Sequence, residues 1–194
     1  MDFTKLEEYL LKNVSSKRLK HLYSTAHQMV ALVEKYLPGY SPEQAYLAGL
    51  WHDASREWSV QHLLDYCNTR GIRTEEEELE FPLLLHGPVA ASLLEPCSQD
   101  IEAVRVAIRW HTLGSVAMGP LGGALFIADY IEPLRPFIPI DAREAFLDCA
   151  TLEELCLKVV YQHKIYLAKN NMALAQSTLK LEHFLTGGGI FSAS

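Results

Sequence analysis

The chain has 194 residues and a mass of 21.8 kDa, enough for one domain with a full-sized core. Apolar residues make up 49% and charged ones 21%, which excludes a disordered chain. Its 17 basic and 24 acidic side chains leave a net charge of −7, which argues against a nucleic-acid partner. Any phosphate-bearing partner must then be held by a local cationic cluster or by a metal.

The first twenty residues carry charges throughout and contain no apolar core, so no signal peptide is expected. From Ser15 or Ser16 onward, Leu19, Leu22, Ala26, Met29, Val30 and Val33 recur at helical spacing, and Pro38-Gly39 stops the pattern. Ser41-Pro42-Glu43-Gln44 reads as a helix start with proline in the first turn, opening a helix through Ala45, Ala48, Gly49 and Trp51. Ser59 caps a helix through Leu63, Leu64 and Tyr66 that closes near Gly71. Thr74-Glu75-Glu76-Glu77 reads as another capping box, its acidic run suited to the positive end of a helix.

Further helices are expected over residues 88–94, 100–111, 121–131, 142–148, 152–167 and 171–185. Strand patterns are absent, so the expected fold is all-α: a single compact helical domain over residues 1–186, with a flexible tail at 187–194. The most apolar stretch, residues 120–128, is far too short to span a bilayer. Cys67, Cys97, Cys149 and Cys156 lack CxxC spacing and read as reduced, buried thiols. The expected setting is cytoplasmic, without a membrane partner.

Eight histidines are the informative feature. His21, His52-Asp53, His86, His111 and Asp129 each sit among apolar residues, as in the run Leu125-Phe126-Ile127-Ala128-Asp129. A lone histidine on an apolar helix face is ordinarily a satisfied core side chain, but the recurrence over five segments is not ordinary. Buried Asp53 and Asp129 need a cation, and the chain places few nearby, so a metal is the expected partner. Imidazoles with carboxylates and no thiolate suit iron, manganese or a nitrogen–oxygen zinc site. Six candidate ligands exceed what one tetrahedral ion takes; two ions sharing a carboxylate would use them all, as in centres that hydrolyse phosphate esters.

The order His21, His52-Asp53, His86, His111, Asp129 resembles the HD-domain metal-dependent phosphohydrolases, and the local wording resembles their YqeK-type branch. The matching stretches are Arg18-Leu19-Lys20-His21, Leu47 to Asp53, Leu84-Leu85-His86-Gly87-Pro88, Ala107 to Gly114, and Ala128 to Arg135. Ser177-Thr178-Leu179 within the region 170–179 also fits, so the resemblance spans about residues 15 to 185. It implies the helical HD-type fold and symmetric hydrolysis of dinucleoside polyphosphates, diadenosine tetraphosphate giving two ADP. It further implies two transition-metal ions, iron first and manganese as the alternative, with a homodimer as a compatible assembly.

Carried over residue by residue, His21, His52, Asp53 and Asp129 would hold one ion, and Asp53, His86 and His111 the second. Asp53 would bridge them. Arg56 stands where the family has a lysine three residues after the HD aspartate; arginine keeps the charge but hardly deprotonates. Arg18, Thr112, Gly114 and Arg135 are the candidate substrate contacts, with Lys20 and Arg109 as further candidate phosphate clamps. Trp51, Trp58 and Tyr130 are candidates for stacking on a base, core packing being the default for Trp51. Glu132 is a candidate to orient a ligand imidazole, whereas His27, His62, His163 and His183 read as ordinary. Other HD-type activities on nucleoside mono- or triphosphates, and a non-catalytic nucleotide-binding module, remain the alternatives.

Overall fold

The computed structural model describes residues 3–94, 101–136, 138 and 140–192, and no strand occurs among them. The expected helices are present with shifted ends. The chain runs α1 (Phe3–Asn13), α2 (Ser16–Tyr36), α3 (Pro42–Trp51), α4 (Val60–Arg70), α5 (Glu76–Glu80), a 3₁₀ turn (Pro82–Leu85) and α6 (His86–Leu93). It continues with α7 (Glu102–Trp110), α8 (Gly119–Ile131), α9 (Ile140–Leu147), α10 (Leu152–Lys169) and α11 (Gln176–Thr186). Helix α1 lies outside the expected set.

The caps explain most boundaries. Ser15, Ser41, Ser59 and Thr151 each accept a backbone N–H from the first turn of α2, α3, α4 and α10. The capping box of α5 sits one residue later than Thr74: Glu75 is the cap, and Glu78 accepts the Glu75 N–H at 2.9 Å.

Helix α8 is the axis of the domain. Its residues 120–128 are all buried, and it packs against α2, α3, α7 and α10. An apolar run with no polar face is what a helix covered on every side requires. Helices α2 and α3 cross at backbone contact, because a side chain on Gly49 would meet the Ala26 Cα at 2.5 Å. That crossing fixes His21, just over one turn before Ala26, against His52, three residues after Gly49. A small second core of Leu63, Cys67, Leu85 and Val89 joins α4 to the 3₁₀ turn and α6.

One residue after α11 is anchored on the domain. Phe191 is buried over Gly123 of α8, and its N–H donates to Glu153 at 3.0 Å. An aromatic ring that finds an apolar seat offsets some of the freedom of a glycine-rich segment, while neighbouring Ile190 stays 75% exposed. Residues 193 and 194 lie outside the described residues. Cys67, Cys149 and Cys156 are buried and unpaired, as expected, and Cys97 lies outside the described residues. Among the described residues no helix is long and apolar enough to cross a membrane.

Candidate metal centre

Three of the four central histidines occupy helix ends and are fixed in the same way. His52 follows α3 and donates Nδ1–H to the Gly49 carbonyl at 2.8 Å. His86 follows the 3₁₀ turn and donates to Leu83 at 2.5 Å; His111 follows α7 and donates to Ile108 at 2.7 Å. Each imidazole therefore bonds the carbonyl three residues earlier, at or near a helix terminus where carbonyls still have acceptor capacity. His21, inside α2, instead donates Nδ1–H to the Glu132 carboxylate at 3.1 Å. In all four rings the Nδ1 proton is thereby assigned.

The four Nε2 atoms converge. His21 Nε2 lies 3.3 Å from His52 Nε2, and His86 Nε2 lies 3.2 Å from His111 Nε2. Asp53 stands between the two pairs. Its Oδ2 is 3.7 and 3.6 Å from His21 and His52, and its Oδ1 is 3.0 and 3.6 Å from His86 and His111. Asp129, in the last turn of α8, places Oδ1 3.1 Å from His21 and 3.7 Å from His52. His21, His52, Asp53, His86 and His111 are all buried.

Nε2 lone pairs facing each other at this distance repel unless a proton or a cation lies between them. Two such pairs, together with two carboxylates, form a donor set matched to cations, and the chemistry of nitrogen and carboxylate oxygen fits a first-row transition metal. The groups of three able to hold an ion are His21, His52, Asp53 and Asp53, His86, His111, with Asp53 common to both.

The electrostatics agree. Burial pushes the Asp53 carboxyl up, but His52, His111 and His86 hold it well below the usual carboxylate range. Burial likewise raises Asp129, and His21, His52 and Arg135 overcome it. Burial pulls His21 down, yet the Asp129 and Glu132 carboxylates carry its pKa up to about 9. His86, buried more than it is compensated by Asp53, is lowered.

One premise of the sequence reading is corrected here. The carboxylates do have cations near them: Arg18 Nη1 donates to Asp53 Oδ2, and Arg135 Nη2 donates to Asp129 Oδ1. Arg18 is thirty-five residues from Asp53 in the chain, so no local reading pairs them. The case for metal rests on the converging imidazoles and not on unpaired carboxylates.

Of the remaining candidates, Arg18, Lys20 and Arg135 line a basic cleft of about 600 Å³ together with Lys17 and His21. Thr112 Oγ1 is buried without a hydrogen-bond partner among the described residues. Gly114 has φ +70°, and a Cβ there would meet Leu181 at 2.9 Å and Phe126 at 3.3 Å. Its glycine serves a tight turn and close packing. Arg109 is taken up by buried Glu78 through contacts of 2.5 and 2.9 Å and does not clamp phosphate. Trp51 donates to the Ala90 carbonyl from within the core, and Trp58 already stacks on His62 at 3.9 Å.

The α-helix does not continue to Arg56. Residues 52–57 form tight turns in which Ala54, Arg56 and Trp58 each bond the carbonyl three residues back. The Arg56 N–H donates to the Asp53 carbonyl at 3.0 Å, and Arg56 is not among the residues lining the cleft. Two features escaped the sequence reading. His163 lines a cavity with Phe126, Asp129 and Tyr130, and Glu78 forms a buried ion pair with Arg109. An apolar neighbour at i−3 and i+4 marks His163 only as a helix-face residue, and nothing local links residue 78 to 109.

The HD domain model matches residues 18–134, a span that contains all six candidate ligands, and the chain belongs to the HD domain family. It is 26% identical over 192 residues to a Bacillus subtilis protein named bis(5′-nucleosyl)-tetraphosphatase, symmetrical, covering 91% of this chain and 94% of that one. A Staphylococcus aureus protein of the same name is 26% identical over 182 residues, covering 92% of each. A crystal structure from Clostridium acetobutylicum, described as a predicted HD superfamily hydrolase involved in NAD metabolism, superimposes with a TM-score of 0.83. It is 26% identical, and the match covers 97% of this chain and 98% of that one.

Proposed function

We propose that this chain is a metal-dependent hydrolase of dinucleoside polyphosphates that cuts diadenosine tetraphosphate into two ADP. One observation carries the reading: the two oxygens of Asp53 face two separate histidine pairs, which suits a two-ion centre bridged by that carboxylate. His21, His52, Asp53 and Asp129 would hold one ion and Asp53, His86 and His111 the other, iron being favoured by the donor set and manganese next. Such ions, when bound, supply an activated water and charge neutralisation at the attacked phosphorus and leaving oxygen.

The protein's own groups do the rest. Glu132 keeps the Nδ1 proton of His21 in place and so keeps its Nε2 available as a ligand. Arg18 and Arg135 stand at the mouth of the basic cleft, where guanidinium groups hold phosphate oxygens in pairs. Arg18 keeps a buried Nε–H without a partner. Water adds at a phosphorus flanking the central bridging oxygen, that P–O bond breaks, and the proton ends on the departing ADP. Three buried, unpaired cysteines suit a cytoplasmic setting.

Metal-loaded protein given diadenosine tetraphosphate should yield ADP as the sole nucleotide product. Equal AMP and ATP would mean an asymmetric cut and refute the assignment. Turnover of nucleoside monophosphates or NAD with no reaction of the tetraphosphate would move the chain to another HD-type activity, and binding without turnover to a nucleotide-binding module.

Arg56 gives a separate expectation. Arg56→Lys should retain most activity, whereas Arg56→Ala should lose roughly 10²-fold in kcat/KM, the usual loss on removing one electrostatic stabiliser. Metal content should be unchanged in both. Near-normal turnover by the alanine variant would make Arg56 a surface charge.

A further inference from the structure

Two recesses meet at the centre, and Arg135 stands on the wall of both. The basic cleft has lysine and arginine walls suited to phosphate. The other is a cavity of about 420 Å³, within the range of small-molecule sites, and its character is different. The candidate ligands His111 and Asp129, with Arg135, mark one end, and Phe126, Tyr130, His163 and Tyr166 make most of the rest.

His163 projects from α10 into this cavity. Its ring meets the edges of Phe126 at 5.1 Å and Tyr130 at 5.0 Å, both near-perpendicular. Burial lowers its pKa to about 4, so it is neutral at pH 7. A neutral imidazole offers one donor and one acceptor. Tyr166, 65% exposed, stands at the rim one turn further along α10. Thr112 on the same wall has a buried hydroxyl with no partner among the described residues. Buried polar groups are nearly always satisfied, so the Thr112 hydroxyl marks a place for a ligand atom.

We propose that this cavity takes the nucleoside at one end of the substrate, with His163 and Thr112 reading the base edge and Tyr166 covering its face. The other end is then held in the basic cleft through its phosphates alone. This assignment rests on the phosphohydrolase reading above. It means that a chemically symmetric substrate is bound asymmetrically, one nucleoside read and the other ignored.

A consequence is a further activity. Adenosine 5′-tetraphosphate, with one nucleoside and a bare phosphate tail, should be hydrolysed between the second and third phosphates. Water adds there and gives ADP and pyrophosphate.

The test uses metal-loaded full-length enzyme with Thr112→Val and His163→Phe. For diadenosine tetraphosphate, KM should rise about tenfold in each while kcat moves much less, as for loss of ground-state recognition. The preference for diadenosine over diuridine tetraphosphate should collapse, and metal content should hold. Lost packing alone would lower Tm but leave the base preference intact. Unchanged KM and base preference in both variants would overturn the proposal, as would failure of wild-type enzyme to cut adenosine tetraphosphate while cutting the dinucleotide.

Calorimetry with adenosine separates the two readings. Binding that both variants weaken supports the cavity assignment even if no dinucleotide is cut, in which case the hydrolase reading alone falls. Adenosine that does not bind, or binds all three proteins equally, sinks the nucleoside site.

Discussion

Asp53→Ala protein should come off purification with neither metal position filled and with turnover abolished. Changing groups outside the ligand set commonly costs roughly 10- to 100-fold in affinity or activity, and a carboxylate shared by two ions must cost more than that. The geometry says why one residue does so much: Oδ1 and Oδ2 each face a different histidine pair, so no other side chain can substitute for either half. Elemental analysis and the diadenosine tetraphosphate assay check it together. Asp53→Asn, which keeps the shape and the Arg18 contact while losing the charge, separates ligand loss from disturbed packing. Retention of two ions per chain in either variant would mean that the two clusters are not joined through this carboxylate.

Arg109→Ala should be strongly destabilising while leaving every candidate ligand in place. Glu78 is fully buried, and burial pushes its carboxyl above the usual range even with Arg109 beside it. Removing the guanidinium leaves a buried carboxylate alone, at a cost of about 3–5 kcal/mol. For a chain of this size that is a fall in Tm of roughly 6–20 °C. Thermal or urea unfolding reads it directly. Replacing both partners by leucine should recover much of the loss, since two apolar groups leave nothing unpaired. A single-variant cost below about 1 kcal/mol would place the pair in water instead of the interior.

Much of this was legible in the residues because its signals are local. Caps at Ser41 and Ser59, the all-apolar run of α8 and the His52-Asp53 step are readable within a few positions of one another. The six candidate ligands are found by the same kind of reading: each is a polar residue in an apolar setting, which only a buried polar site explains. What stayed hidden is non-local. Arg18 meets Asp53 across thirty-five positions and Glu78 meets Arg109 across thirty-one. His163 gains its meaning only when α10 is laid beside α8. Gly114 is ambiguous for a different reason: a glycine after His111 suits a ligand-facing loop and a packed turn equally, and only the structure shows Leu181 and Phe126 packed against it. Phe191 follows three glycines, a sequence that reads as frayed until Gly123 provides its seat.

The placement of the ligands at helix ends bears on the sign of the field that a substrate meets. His52 and His111 directly follow α3 and α7, and Asp129 lies in the last turn of α8. Carboxyl ends of helices carry partial negative charge, each worth about 0.3–1 kcal/mol to a neighbouring cation. Three of them ending on one spot, with Asp53, Asp129 and Glu132 added, make a negative well at the ligands, which Arg18, Arg135 and His21 offset from its edge. Such a well attracts metal ions and repels a polyphosphate, whose affinity must therefore come from elsewhere. Arg18 and Arg135 lie on that boundary, each with one face to a buried carboxylate and the other to the cleft. They turn a field built for cations into an entrance that admits an anion.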